Sequence, residues 1–216
     1  MKIQYLGHSC FKLTANSGVS IITDPYTKVG YELPKDLTAT VVTASHAHFD
    51  HNYTSAVRCE RVITETGVYS VKDVKITGLD SWHDEKKGAL RGNNVIFIFE
   101  IDGMKVCHFG DLGEPISTEL IKKIGDADVL LLPVGGTYTI DATQAKEYIA
   151  QIAPKAVIPM HFKPMDGKLD ISPLSAFTNL FPLNMLDFKA EGYVIFEEEN
   201  LPKSLSIICL ERQRYE

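Results

Sequence analysis

Residues 46–51 read His46-Ala47-His48-Phe49-Asp50-His51, placing three of the chain's seven histidines and an aspartate in one short run. At the chain's own residue frequencies such a pattern arises in roughly one sequence in two thousand, well above chance. Imidazole nitrogens and carboxylate oxygens suit divalent Zn, Mn, Fe or Ni. From an extended segment His46 and His48, two apart, can point the same way towards one ion. Asp50 and His51 are then free to serve a neighbouring one.

Two ions need more ligands than this cluster supplies. His83 follows Trp82 in SWHDEKKG, His161 follows the apolar run AVIPM, and Asp111 sits in CHFGDLG, where Gly110 and Gly113 permit a tight turn. Each of the three is expected at the end of a strand.

The elements that must position these residues divide the chain in two. Short strands are predicted over Lys2–Leu6, Cys10–Thr14, Val19–Thr23, Ala39–Ala44, Arg61–Thr64 and Val74–Thr77. Ala39–Ala44 runs straight into the histidine cluster, so the cluster should occupy a loop at a strand's carboxyl end, where sites on sheets lie. Asn94–Ile101 and Met104–Phe109 flank Asp102-Gly103, the clearest hairpin signal. Helical spacing covers Ile116–Ile124 and Ala142–Ile152, with Ser117 and Asp141 as candidate N-caps. Val129–Val134 and Lys155–Met160 read as buried parallel strands, Ser172–Leu180 as a short helix, and Tyr193–Phe196 and Leu205–Leu210 as closing strands. No linker, repeat or low-complexity tract interrupts the pattern, so 1–216 is expected to form a single domain mixing strands and helices.

Composition sets the outer bounds. With 44% hydrophobic and 23% charged residues, disorder, collagen and coiled coil are excluded. The 22 basic and 28 acidic residues give a net charge of −6, which disfavours a nucleic-acid partner gripped through the bulk field. Cys10, Cys59, Cys107 and Cys209 form no CxxC pair and read as small buried hydrophobes in a reducing compartment. MKIQYLGHSCFKL reads as no signal peptide, and no apolar run approaches the ~18 residues of a membrane span. A cytoplasmic protein without a membrane partner is therefore expected, with homo-oligomer formation left open.

HAHFDH followed by His83, the FGD segment at 109–111 and His161 resembles the metallo-β-lactamase superfamily. YLGHSCF, ITDPY, SWHDEKKGALRGNN, LPVGGTYTID and PKAVIPMHF extend the likeness to the small lactonase-like, ascorbate-6-phosphate-lactonase-like branch of metal-dependent hydrolases. The resemblance implies an α/β fold, an αβ/βα sandwich of two mixed sheets with helices outside and metals at one edge. It implies one ion on His46, His48 and His83, and a second on Asp50, His51 and His161, with Asp111 bridging. Two cations roughly 3.5–4 Å apart can share a water and lower its pKa towards neutrality, with zinc the expected metal. Asp50 could serve as both ligand and proton acceptor.

Outer residues follow with less support from pattern. The resemblance places His8 near the metal pocket, touching ligands or substrate; a turn residue is the plain alternative. Asp24, before Pro25, could fix the tautomer of a ligating imidazole or simply begin a turn. His108 is expected to pack or to support a ligand. Thr137, in Gly135-Gly136-Thr137-Tyr138, lies where backbone N–H groups could receive an anionic substrate group, although a plain turn fits as well. Lys163 is a candidate phosphate or carboxylate contact, and Lys86, Lys87 and Arg91 read as loop surface. The chemistry expected is water-driven hydrolysis of a lactone, ester or phosphodiester in a small, anionic substrate. The alternatives are a non-catalytic metal-binding or interaction protein and a small nuclease, the last recognisable by salt-dependent nucleic-acid binding. The missing signal peptide argues against a secreted β-lactamase, and the chain length against the larger nuclease and flavin-linked branches.

Overall fold

Period-two alternation builds the first sheet. In β1 (Lys2–Gly7), β2 (Cys10–Thr14), β3 (Ser20–Thr23) and β4 (Leu37–Thr43), side chains point to opposite faces in turn. Ile3, Tyr5, Phe11, Leu13, Ile21 and Val41 enter the core cluster shared with the second sheet. Leu6, Cys10, Ile22 and Val42 face the other way, into a smaller cluster closed by Tyr26 and Val29. With β5 (Val57–Ile63) and β13 (Tyr193–Ile195) these strands form a six-stranded sheet in the order β13-β1-β2-β3-β4-β5. The computed structural model describes residues 1–213.

The second sheet has eight strands. Its antiparallel half is β6 (Gly67–Val71), β7 (Val74–Trp82), β8 (Asn93–Ile101) and β9 (Met104–His108). Asp102 and Gly103, at φ 49° and 75°, make the left-handed two-residue turn that the Asp-Gly pair predicts. The parallel half adds β10 (Val129–Pro133), β11 (Ala156–Met160), β14 (Ser206–Leu210) and β12 (Leu186–Lys189). Every residue of β10 and β11 is buried, as expected of strands covered on both faces.

Helices α1 (Thr118–Ile124), α2 (Ala142–Ile152) and α3 (Leu174–Thr178) lie in the connections of this parallel half. Leu120, Ile124, Tyr148, Ile149 and Phe177 carry them into the main core. At α2 the Asp141 carboxylate accepts the Thr143 and Gln144 N–H groups at 2.9 Å, while Gln144 accepts the Asp141 N–H at 3.0 Å. At α1 the Ser117 hydroxyl accepts the Leu120 N–H, so the helix begins two residues later than its apolar spacing suggests.

Two mixed sheets with few helices are thus the architecture, as the sequence led us to expect. The six-stranded sheet adds a detail: among the described residues its outer cluster is closed by the 25–36 loop, through Tyr26, Val29, Tyr31 and Leu33, and by no α-helix. β6 and β12 were not expected, β5 and β7 run further than predicted, and α3 is shorter. Cys10, Cys107 and Cys209 are buried and unpaired, and Cys59 is half-buried. No helix among the described residues is long and apolar enough to cross a membrane.

For function, the decisive feature is where strands stop. β1 delivers His8, β3 Asp24, β4 the 46–51 loop, β7 His83, β9 Asp111 and β11 His161, each residue or loop beginning within three residues of a strand's carboxyl end.

Candidate metal centre

Asp111 is the hub. Its carboxylate lies 3.9 Å from His46 Nε2, 3.4 Å from His83 Nε2 and 3.3 Å from His161 Nε2 through Oδ2, and 3.1 Å from His51 Nε2 through Oδ1. Around it two groups have ligand atoms within 4.8 Å of one another, His46, His48 and His83, and His8, Asp50, His51 and His161, and a third set, Asp24, His46 and His51, overlaps both. All seven residues expected to bind metal therefore converge, and His8 joins them.

The site passes a test of fit. His8 Nε2, His46 Nε2, His51 Nε2 and Asp111 Oδ1 are buried with no hydrogen-bond partner. His51 Nε2 and Asp111 Oδ1 are close but lack hydrogen-bond alignment. Each such orphan costs about 1–3 kcal/mol, so four within one buried cluster suit cations that accept their lone pairs. The N and O donor set agrees with a borderline or hard divalent ion.

Asp24 holds two of the candidate ligands from behind. Its carboxylate accepts the Ser45 N–H at 2.8 Å and the Ser45 hydroxyl at 2.5 Å, and lies 2.8 Å from His51 Nδ1. Ser45 Oγ is also 3.0 Å from His46 Nδ1. Both imidazoles are thereby gripped on Nδ1 with Nε2 turned to the cluster, the usual way a ligand tautomer is fixed. Asn94 does the same for Asp111: its Oδ1 accepts the Asp111 N–H at 2.9 Å while its amide donates to Ser81 and to the Phe109 carbonyl. Gly110, at φ 54°, lies where a Cβ would run into Ser45 and Asn94, so only glycine fits.

His108 is occupied elsewhere. Its Nε2 lies 2.8 Å from the Ser9 carbonyl and its Nδ1 accepts the Gly110 N–H, tying the first sheet to the turn that carries Asp111. Thr137 is exposed at φ 61°, and its carbonyl accepts a hydrogen bond from Arg91 at 3.2 Å. Gly135 packs against the His161 carbonyl so closely that a Cβ would collide, which explains one of the two glycines there by packing alone. Lys163 is exposed, and its backbone N–H bonds to the Ser172 carbonyl. Among the described residues no polar contact joins its side chain to the cluster.

Sequence reasoning missed Ser45, Asn94, Asp84 and Arg91. Buried Asp84 accepts four backbone N–H groups, from Lys86, Gly88, Leu90 and Arg91, and so shapes the 84–91 loop. Arg91 then reaches Thr137 and faces the Tyr138 ring at 5.7 Å, while the next residue, Gly92, accepts the His83 N–H. Lys86 and Lys87 are exposed loop surface, as expected. Only Ser45 had a readable signal, its position against His46.

Electrostatics follow burial and pairing. Burial pushes the His46 pKa down to about 3 and, with the neighbouring His161 ring, that of His8 down to about 4. His51 is buried too, but the Asp111 and Asp24 carboxylates on either side outweigh burial and hold its pKa well above the ordinary value. Asp111 is held far down by His161 and His51 despite burial, which acts the other way. His8 and His46 therefore stay neutral in the folded metal-free protein below pH 6.5, where the unfolded chain protonates them. Each should cost about 1.4 kcal/mol of stability per pH unit on acidification through that range, down to its folded value. Urea midpoints of chelator-treated protein at pH 6.5 and pH 5 should fall accordingly; equal midpoints would contradict this picture.

Residues 2–161 match the family described as Beta-lactamase superfamily domain, which sets the class of this fold and site. A UPF0173 metal-dependent hydrolase of Methanospirillum hungatei is 30% identical over 204 residues, covering 83% of this chain and 91% of its own. One from Thermococcus onnurineus is 27% identical over 191 residues, covering 75% and 84%. A crystal structure from Thermotoga maritima, of a metallo-β-lactamase superfamily member, superposes with a TM-score of 0.80 at 37% identity, covering 96% of this chain and 97% of the other. The chain belongs to the UPF0173 metal-dependent hydrolase family within that superfamily.

Proposed function

We propose that this protein hydrolyses a lactone, ester or phosphodiester in a small, anionic substrate at a site that holds two divalent ions, zinc foremost. The observation that carries the reading is the convergence of two donor groups on one carboxylate, Asp111, with buried donor atoms left unpartnered among them. His46, His48 and His83 would hold one ion, and Asp50, His51 and His161 the other, with Asp111 between. When bound, such a pair supplies an activated water and Lewis acidity towards the substrate's carbonyl or phosphoryl oxygen.

The chain's own residues supply position and proton handling. Asp50, half-buried at the site, is kept ionised by the His8 ring 3.4 Å away and by His51 although burial opposes it, so its carboxylate is available as ligand and proton acceptor there. A cleft of about 500 Å³ passes His46 and His48, with Arg91 in its wall. Arg91 has no carboxylate partner among the described residues, which suits it to an anionic substrate group, although Glu65 and Asp80 line the same cleft and narrow where such a group can lie.

The test combines elemental analysis with a turnover screen over lactones, phosphodiesters, carboxylic esters and thioesters. His48, exposed at the mouth of the cleft, can be replaced without opening the core. His48→Ala should lower turnover at least ~100-fold with little change in thermal stability. Full metal loading with no turnover of any substrate would instead identify a metal-binding protein without hydrolytic activity.

A further inference from the structure

The two donor groups are unlike in depth and number. His46, His48 and His83 are three, and His48 is exposed. His8, Asp50, His51 and His161 are four, and the three imidazoles among them are no more than 1% exposed.

His8 is the member that the cluster spacing does not assign. Its Nε2 is buried without a hydrogen-bond partner and stands 3.4 Å from Asp50 Oδ2. Its ring centroid is 4.3 Å from that of His161 and 5.0 Å from that of His51. The backbone holds it there against preference, at φ 52°. A left-handed backbone costs a non-glycine residue about 1–2 kcal/mol and persists only where the surroundings enforce it. Here the His8 N–H donates to the Tyr31 hydroxyl at 3.0 Å, and the His8 carbonyl accepts from the Tyr5 hydroxyl at 3.2 Å and from the His161 N–H at 3.0 Å. Three anchors thus hold a strained residue whose free nitrogen lies among candidate ligands.

Resting on the two-ion reading above, we propose that His8 is a donor to the deeper ion, and that it makes the two positions unequal. The deep ion, held by His8, Asp50, His51 and His161 beside Asp111, is retained. The shallow ion, held by His46, His48 and His83, exchanges with solvent and faces the substrate. Sites closed by protein ligands hold metal structurally, whereas those with an open position bind water and substrate.

Titration of metal-free protein with Zn²⁺, followed by calorimetry and elemental analysis, should show two steps separated at least tenfold in affinity. Mild chelation should leave one ion in place. His8→Ala and His8→Gln should weaken the tight step tenfold or more, and His48→Ala the weak one. Wild-type protein labelled with ¹⁵N-histidine provides a readout independent of folding in the variants. The His8 imidazole signals should shift with the first equivalent of Zn²⁺ and the His48 signals with the second. His8 signals unmoved by either equivalent, two equal steps in the wild type, or wild-type affinities in both His8 variants would overturn the proposal. A single Zn²⁺ at saturation would instead overturn the two-ion reading beneath it.

Discussion

Asp111→Ala is expected to cost about 10³-fold or more in turnover, some 4 kcal/mol of transition-state stabilisation, and to lower bound metal from two ions to one or none. The reason is geometric. Four imidazoles from three strand ends face this one carboxylate within 4 Å. Its removal leaves the two donor groups without a shared ligand and deprives His51 of one of the carboxylates that sustain its proton. In the metal-free protein the same substitution breaks a buried charge cluster, a change that typically costs about 3–5 kcal/mol. Elemental analysis beside steady-state rates decides the matter. Two ions and unimpaired turnover in Asp111→Ala would end the dinuclear reading.

Asp24→Ala should be nearly as damaging although Asp24 touches no substrate. Three donors lose their acceptor at once: the Ser45 N–H, the Ser45 hydroxyl and the His51 ring N–H. At about 1–3 kcal/mol for each buried orphan, a loss of several kcal/mol is expected even after partial relaxation. The backbone adds to it, because Asp24 sits at φ 41°, a region that aspartate tolerates better than alanine. His51 and His46 lose the contacts that fix their rings, so Zn²⁺ affinity should fall about 10- to 100-fold. Asp24→Asn restores the shape and some of the acceptors, and should recover part of the stability. Chemical denaturation and Zn²⁺ titration of the two variants separate these effects; wild-type affinity in Asp24→Ala would show that the network orients nothing.

The candidate ligands were legible because they obey local rules. A β-branched run delivers the 46–51 cluster, and His161 directly follows a strand whose burial shows in composition, whereas β7 runs five residues beyond the predicted Val74–Thr77 to reach His83. Ala142–Ile152 was readable to the residue, since its apolar spacing and the Asp141 cap are written locally. β6 and β12 were not readable. Both are edge strands with mostly partial or full exposure, so no buried face imposes a period on them. Asn94 was hidden for another reason: an amide whose partners, Ser81, Phe109 and Asp111, lie on other strands and turns has no signature in its own surroundings. Arg91 likewise read as surface because its partners, Thr137 and Tyr138, come from a loop beyond a different strand. Spacing finds groups that meet an ion, and it overlooks groups that hold those groups still.

The distribution of donors over the strand ends bears on folding as well as on chemistry. Residues from position 8 to position 161, drawn from both sheets, meet only when the sandwich is assembled. A bound ion is therefore a reversible cross-link closing loops of tens to more than a hundred residues, the lengths at which a covalent bridge would restrict the unfolded chain by about 3–5 kcal/mol. The four cysteines form no such bridge. In this molecule imidazole and carboxylate can do what thiols do elsewhere, with a tie that a chelator, instead of a reductant, undoes.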